Sequence, residues 1–301
     1  MAIKAIAFLI LGVFCISVND TIIKLLSSSY ALHQLVLIRS VLSLVIIMLG
    51  IFIWKDMKSL HTNKLTMHAL RGLLIVLANV LFFAGLASLP LAEASAVVFI
   101  SPVLVTLFSH YFLMERIDVW RWMAVMIGLT GMICVVQPFG VRVEIAYLWP
   151  FGAALCYAGF TISTRFLAET DSVASLAVYS TVAFVLASAL MGFIFGSGSF
   201  SNVENPNLEF IVRAWRWPDG DDISPILALG CLAAVIALSM AAAYRLGEAS
   251  FLAPFEYVNL PFVLLWGLLV FGDFPNGLGL LGIVLIIIGG LIIMFSQRAR
   301  T

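Results

Sequence analysis

The chain has 301 residues, 63% of them hydrophobic and 11% charged, with 16 basic side chains balancing 16 acidic ones. Mean hydropathy is +1.13, whereas a soluble domain is nearer half apolar and a quarter charged, so a water-exposed globular fold is excluded. The neutral balance leaves no basic footprint for nucleic acid.

A helix needs about 20 mainly apolar residues to cross the bilayer core. Apolar runs predict ten spans, at roughly 5–26, 33–54, 69–89, 92–114, 119–137, 144–167, 171–196, 224–246, 248–271 and 276–296. The first begins after Lys4 and continues without a cleavage site, so it is expected to be retained. The fold class is an all-α membrane protein, with ten transmembrane helices arranged as two inverted five-helix repeats. The repeats are residues 1–140 and 141–301. No cofactor and no metal site is expected. Cys15, Cys134, Cys156 and Cys231 form no CxxC pair and read as small buried hydrophobes.

Ionisable and amide groups inside spans are costly, so each is a candidate for a cavity or a partner. The first span carries Asn19, Asp20 and Lys24, with Asp20 and Lys24 four apart on one helix face. Arg39 enters the second span from the same side of the membrane. It and Asp20 each lie about 9 Å deep. Their contact is either a structural salt bridge or a polar wall of a substrate cavity. Asn79, mid-span in the third helix, either bonds a neighbouring helix or faces that cavity. His110 reads as a satisfied interhelical group, and His61 and His68 as parts of a basic loop.

The fourth span opens on Ala92-Glu93-Ala94-Ser95, carries Pro102 and closes on Glu115, with Gly131 in the next span. The ninth opens on Gly247-Glu248-Ala249-Ser250, carries Pro261 and closes on Asp273, with Gly289 following. Each glycine stands 16 residues beyond its acidic residue. With five spans per half, an odd number, the second copy enters the membrane the other way up, a plan common among secondary transporters. Glu93 and Glu248 are expected to complement helix N-termini. Glu115 and Asp273 are expected to be solvated anchors.

The ninth span also holds Glu256, Tyr257 and Asn259. Glu256 lies about 12 Å past Glu248, near the bilayer midplane. Pro254 and Pro261 flank it and interrupt the helix. A carboxylate beside an irregular midplane helix suits a transporter site, although a packed, neutral side chain is the other reading. Between the seventh and eighth spans, residues 197–223 form the long connection, read as an interfacial loop or a lid. Of the 16 Lys and Arg residues, 11 fall on the side of the N-terminus and 5 opposite, which puts both termini in the cytoplasm. Trp54, Trp120, Trp122 and Trp149 mark span ends.

Five stretches carry a family likeness: Asn19-Asp20 with Lys24, Arg39, Arg71-Gly72-Leu73-Leu74, Trp120-Arg121-Trp122 and Ala253-Pro254-Phe255-Glu256-Tyr257. On these the chain resembles the EamA-type ten-helix members of the drug/metabolite transporter superfamily, over nearly its whole length. Within that superfamily it is most similar to the S-adenosylmethionine uptake group. The resemblance implies a secondary transporter working by alternating access in a bacterial inner membrane, with no ATP site. Proton coupling is a separate expectation from Glu256, a midplane carboxylate able to exchange a proton for a cationic cargo. No G-x-x-x-x-G-K-[ST] motif is present. Glu256 stands where the family commonly has a basic residue, which favours a cationic or zwitterionic cargo, S-adenosylmethionine-like or amino-acid-like. Asn19, Asp20, Lys24, Arg39, Asn79, Glu256, Tyr257 and Asn259 are the expected substrate contacts. Export of amino acids or drug-like amphiphiles, riboflavin carriage and a passive channel are the alternatives. An integral-membrane enzyme lacks a nucleophile with a base at suitable spacing.

Overall fold

The structure, a computed structural model, describes residues 2–53, 57–88, 97–136, 147–199, 206–271 and 277–298. Glu93, Asp273 and Trp54 lie outside the described residues. Helices are the only regular structure among the described residues, as lipid requires of a span that must satisfy its own backbone. They are α1 Ala2–Leu26, α2 Leu32–Ile53, α3 Leu65–Ser88, α4 Ser101–Leu113, α5 Val119–Val136 and α6 Leu148–Leu167. The second half holds α7 Val173–Phe195, the short α8 Pro206–Val212, α9 Ile223–Leu246, α10 Ala249–Leu252, α11 Asn259–Trp266 and α12 Gly277–Arg298. Among the described residues, six helices are long and apolar enough to cross a membrane, and three more are apolar but shorter.

Each expected span overlaps a helix over the described residues, the fourth chiefly from Ser101 onward, and two departures have local causes. The third helix starts at Leu65, earlier than its apolar run, because its first turn packs in the bundle: His68 is only 2% exposed. His68 is therefore a buried helical residue and not part of a loop. The ninth span is broken, with a 3-10 stretch at Ala253–Val258 between α10 and α11, and a π turn at Gly267–Phe271. Pro254 and Pro261 each lack the N–H that a regular helix would use there.

Helix pairings recur at a spacing of five spans. α1 packs along α9, and α6 packs along α3, the same pairing moved by five spans. α2 with α9 and α7 with α3 form a second such couple, and α4 with α6 and the ninth span with α1 a third. α2–α7 and α5–α12 map onto themselves. In the α5–α12 pair the two repeated glycines face the opposite helix. A Cβ on Gly131 would come within 2.7 Å of the Gly282 carbonyl oxygen, and one on Gly289 within 3.0 Å of that of Ala124. Small residues permit this backbone approach, which apolar attraction alone cannot drive in lipid. The cysteines differ from expectation: Cys15 is buried, Cys134 and Cys156 are half-buried, and Cys231 is exposed on the outside of α9.

Candidate substrate site

A cavity of about 310 Å³ lies inside the bundle, lined by α1, α2, α3, residues 98–101, α6, α7, α9 and the broken ninth span. α5 and α12 contribute no lining residue among those described. Asn19, Asp20, Arg39, Asn79, Glu256 and Asn259 all line it, from both halves of the chain. Lys24 does not: it is exposed in the last turn of α1. Tyr257 does not either. Its ring packs between Gly128 of α5 and Phe99, among Met132, Leu260 and Ile286. Neighbours in sequence, Glu256 and Tyr257, thus face opposite ways, a consequence of the helical turn between them.

The expected Asp20–Arg39 contact is indirect. Arg39 Nη1 donates to Asn19 Oδ1 at 3.0 Å, and Asn19 Nδ2 donates to Asp20 Oδ1 at 3.1 Å. The amide stands between the two charges, one end turned to each. The Arg39 guanidinium lies 5.5 Å from the centre of the Phe184 ring, a cation–π distance. Its Nε has no partner, and neither do Ser43 Oγ and Asn259 Oδ1, two further buried atoms of lining residues.

Glu256 sits in the 3-10 stretch and is 6% exposed. The hydroxyl of Tyr244, from α9, donates to its Oε1, and that of Tyr157, from α6, reaches the same oxygen at 3.3 Å. Hydrogen-bonded phenols satisfy a carboxylate that lipid would otherwise leave bare. Neither tyrosine was singled out by the sequence, since a single mid-span tyrosine does not differ from a packing residue. Arg71 also lines the cavity. Its Nε donates to Thr164 Oγ1 at 2.7 Å and its Nη1 to the Leu176 carbonyl at 2.9 Å, with the guanidinium 4.8 Å from the Phe160 ring centre. Charge counting treats it only as a residue of the N-terminal side, because its reach toward the cavity depends on α6 and α7.

Both ends of the cavity are crossed by contacts between the halves. At the face where α1 begins, α4 ends at Met114 in the left-handed conformation (φ 54°), which presents Glu115 to α10. Glu115 accepts from Ala249 N at 3.1 Å, Ser250 N at 3.0 Å and Ser250 Oγ at 2.6 Å. It is the cap of α10, 9% exposed, not a solvated anchor. Glu248 makes no capping bond and pairs with Arg121 instead. His68 Nε2 meets Asp171 Oδ2 at 2.7 Å. Burial alone would raise the Asp171 carboxyl, but bonds from Thr62, His68 and Thr170 outweigh it and hold it below the usual carboxylate range. His110 is exposed and bonds the Glu115 carbonyl five residues on, at 3.1 Å, rather than another span.

At the opposite face, residues 206–222 lie across the α1–α2 turn and the end of α3. Tyr30 donates to Asp222 Oδ2 at 2.6 Å and accepts from Asp219 N at 3.0 Å. Gln34 exchanges two bonds with the Arg216 backbone, at 2.5 and 3.1 Å. Arg213 Nη1 donates to the Ser27 carbonyl at 2.6 Å, and Phe210 packs 6.1 Å from Phe83.

A helical bundle holding a cavity with polar groups, crossed at both ends by contacts between the halves, suits a membrane transporter, and comparison with known proteins gives that class. Residues 3–137 match the EamA-like transporter family. The chain is 28% identical over 233 residues to a riboflavin transporter of Vibrio cholerae, covering 77% of this chain and 72% of that one. It is 23% identical over 293 residues to an S-adenosylmethionine uptake transporter of Rickettsia felis, covering 97% and 93%. It is 26% identical over 281 residues to a pseudopaline exporter of Pseudomonas aeruginosa, covering 93% and 92%. A crystal structure 16% identical in sequence superposes with a TM-score of 0.78 over 100% of this chain and 98% of that one, and so shares its fold. The protein is a multi-pass small-metabolite transporter and not an enzyme.

Proposed function

We propose that residues 1–140 and 141–301 are inverted repeats that rock about the cavity, and that the cargo is a small cationic or zwitterionic metabolite. The observation behind this reading is Glu256, a carboxylate buried in a broken helix, clasped by two phenols and lining the cavity. Holding a charge at such a depth costs about 2.5–3.5 kcal/mol on insertion scales, a cost that a functional contact offsets. In this reading a proton neutralises Glu256 when the cavity is empty and the cargo's cation replaces it when the cavity is filled, which couples transport to protons. Asn19, Asp20, Asn79 and Asn259 supply the polar wall around the cargo. The relatives named for S-adenosylmethionine uptake make that molecule, a cation joined to a carboxylate, the first probe, with riboflavin as its uncharged control.

Protein reconstituted into liposomes tests this. Glu256→Gln keeps the shape and fixes the group neutral. Binding of the cationic probe should weaken by about 1–3 kcal/mol, the range for a lost charged hydrogen bond, and the pH dependence of counterflow should flatten. Wild-type binding and pH dependence in the variant would reduce Glu256 to a packing residue.

The reading includes both termini in the cytoplasm, supported by the 11 to 5 charge split. In intact cells, an impermeant thiol reagent should label a Gly220→Cys variant and spare a His61→Cys variant. The reverse pattern would invert the orientation.

A further inference from the structure

We infer that the cavity is bipolar and that its cargo is an elongated zwitterion, with a carboxylate at Arg39 and a cationic group at Glu256. This rests on the cavity being the substrate site. Arg39 is 7% exposed, lines the cavity and pairs with no carboxylate among the described residues. Asn19 holds Asp20 off it, so one Nη is satisfied by a neutral amide and Nε by nothing. A buried guanidinium left in that condition is unfavourable until an anion completes it, and its planar fork suits a carboxylate. Arg71 is the other cavity arginine, but it commits Nε and Nη1 to Thr164 and Leu176, tying α3 to α6 and α7. Ser43 Oγ and Asn259 Oδ1, unpartnered, add polar contacts along the cavity between the two ends.

The spacing of the charges follows from the packing of α1 on α9. Gly12 of α1 meets Met240 of the antiparallel α9, so Asn19, seven residues on, stands level with Ala233, which also lines the cavity. Tyr244, which holds Glu256, is eleven residues further along α9, about 16 Å at 1.5 Å per residue. The long side chains of Tyr244 and Arg39 shorten that gap, leaving the two charges on the order of 10 Å apart along the axis. An α-amino acid carries its ammonium and carboxylate on one carbon and cannot reach both groups. A cargo with its charges at opposite ends can.

Three probes test the assignment on the purified full-length protein by calorimetry: glycine, ε-aminocaproate and aminohexanol. The last has the length and cation of ε-aminocaproate and a neutral end. The inference expects ε-aminocaproate to bind at least about tenfold tighter than either of the others, the effect of one charged hydrogen-bonded contact. Arg39→Gln should abolish that advantage while leaving aminohexanol unchanged, and Arg39→Lys should restore part of it. Glu256→Gln should weaken both amines. Aminohexanol matching ε-aminocaproate in the wild type overturns the anion subsite, and needs no variant to fold. Glycine matching ε-aminocaproate overturns the separation. If aminohexanol binds and depends on Glu256 but Arg39→Gln changes nothing, the cation reading stands and this inference falls. If no probe binds, both fall.

Discussion

The two ends of the cavity are closed by different chemistry. At the face where α1 begins, the seal is made by helix ends and buried charge: Glu115 on α10, Arg121 on Glu248, and His68 on Asp171. Every one of these bonds joins the first half to the second, and each fixes the distance between helices. At the other face the seal is a strap, residues 206–222, hung on the α1–α2 turn largely through backbone groups of the strap. A strap can lift without moving a span, whereas the charged seal opens only if the halves separate. If the halves rock as proposed, the stiff step of the cycle falls at the N-terminal face and the soft step at the strap.

The largest test of that contrast is Glu115→Ala. It leaves the three donors of α10 without an acceptor and removes the negative charge beside Arg165, so the folded state should lose roughly 3 kcal/mol. Thermal unfolding in detergent measures this. A melting temperature unchanged from wild type would show that the N-terminal seal is not the stiff one.

Next in size is the response of the same face to acid. The Asp171 carboxyl titrates below the ordinary carboxylate range in the folded protein, so its stabilisation is complete above the unfolded value and is lost as pH falls through the folded one. Wild-type protein should therefore lose about 1 kcal/mol more than Asp171→Asn on acidification through that window. Parallel melting curves for the two proteins across it would remove the buried His68–Asp171 bond from the account.

The smallest effect is expected at the strap. Tyr30→Phe removes one donor to Asp222 and one acceptor for Asp219 N; the Tyr30 ring is fully buried, but Asp219 is exposed and Asp222 half-buried, so water can replace both bonds. Stability should fall by about 1 kcal/mol or less, while hydrogen exchange over 206–222 should rise distinctly and that of α10 should not. Exchange rising equally at both faces would mean that the two seals open together.

The same contrast separates what could be read from the residues from what could not. The repeated Glu-Ala-Ser openings, acidic closures and glycines are visible as spacing alone; of these, Glu115 and Glu248 fall at the charged seal and Gly131 and Gly289 in the α5–α12 contact. The strap has no counterpart in the first half, and a stretch such as Phe210-Ile211-Val212 gives no sign of what it covers. Polar residues within the spans were legible for a similar reason: Asn19, Asp20, Arg39, Asn79, Glu256 and Asn259 stand out against lipid-compatible neighbours, and all line the cavity. Tyr257 could not be separated from Glu256 in this way, because adjacent residues share depth and differ only in the direction of the helical turn. The capping role passed from Glu248 to Glu115 because a cap may come from another helix, 134 residues away in the chain.

By itself the sequence determined the medium, the helical class, the approximate spans and the depth of each polar group, because hydrophobic length and the cost of charge in lipid are local properties of the chain. Tertiary structure alone decided which of those groups meet. The amide between Asp20 and Arg39, the two phenols on Glu256 and the neutral partners of Arg71 each depend on a second or third helix, and on its rotation about its own axis. Rotation is set by packing, through close approaches such as Gly12 on Met240 and Gly131 on Gly282, and no pattern within one span encodes it.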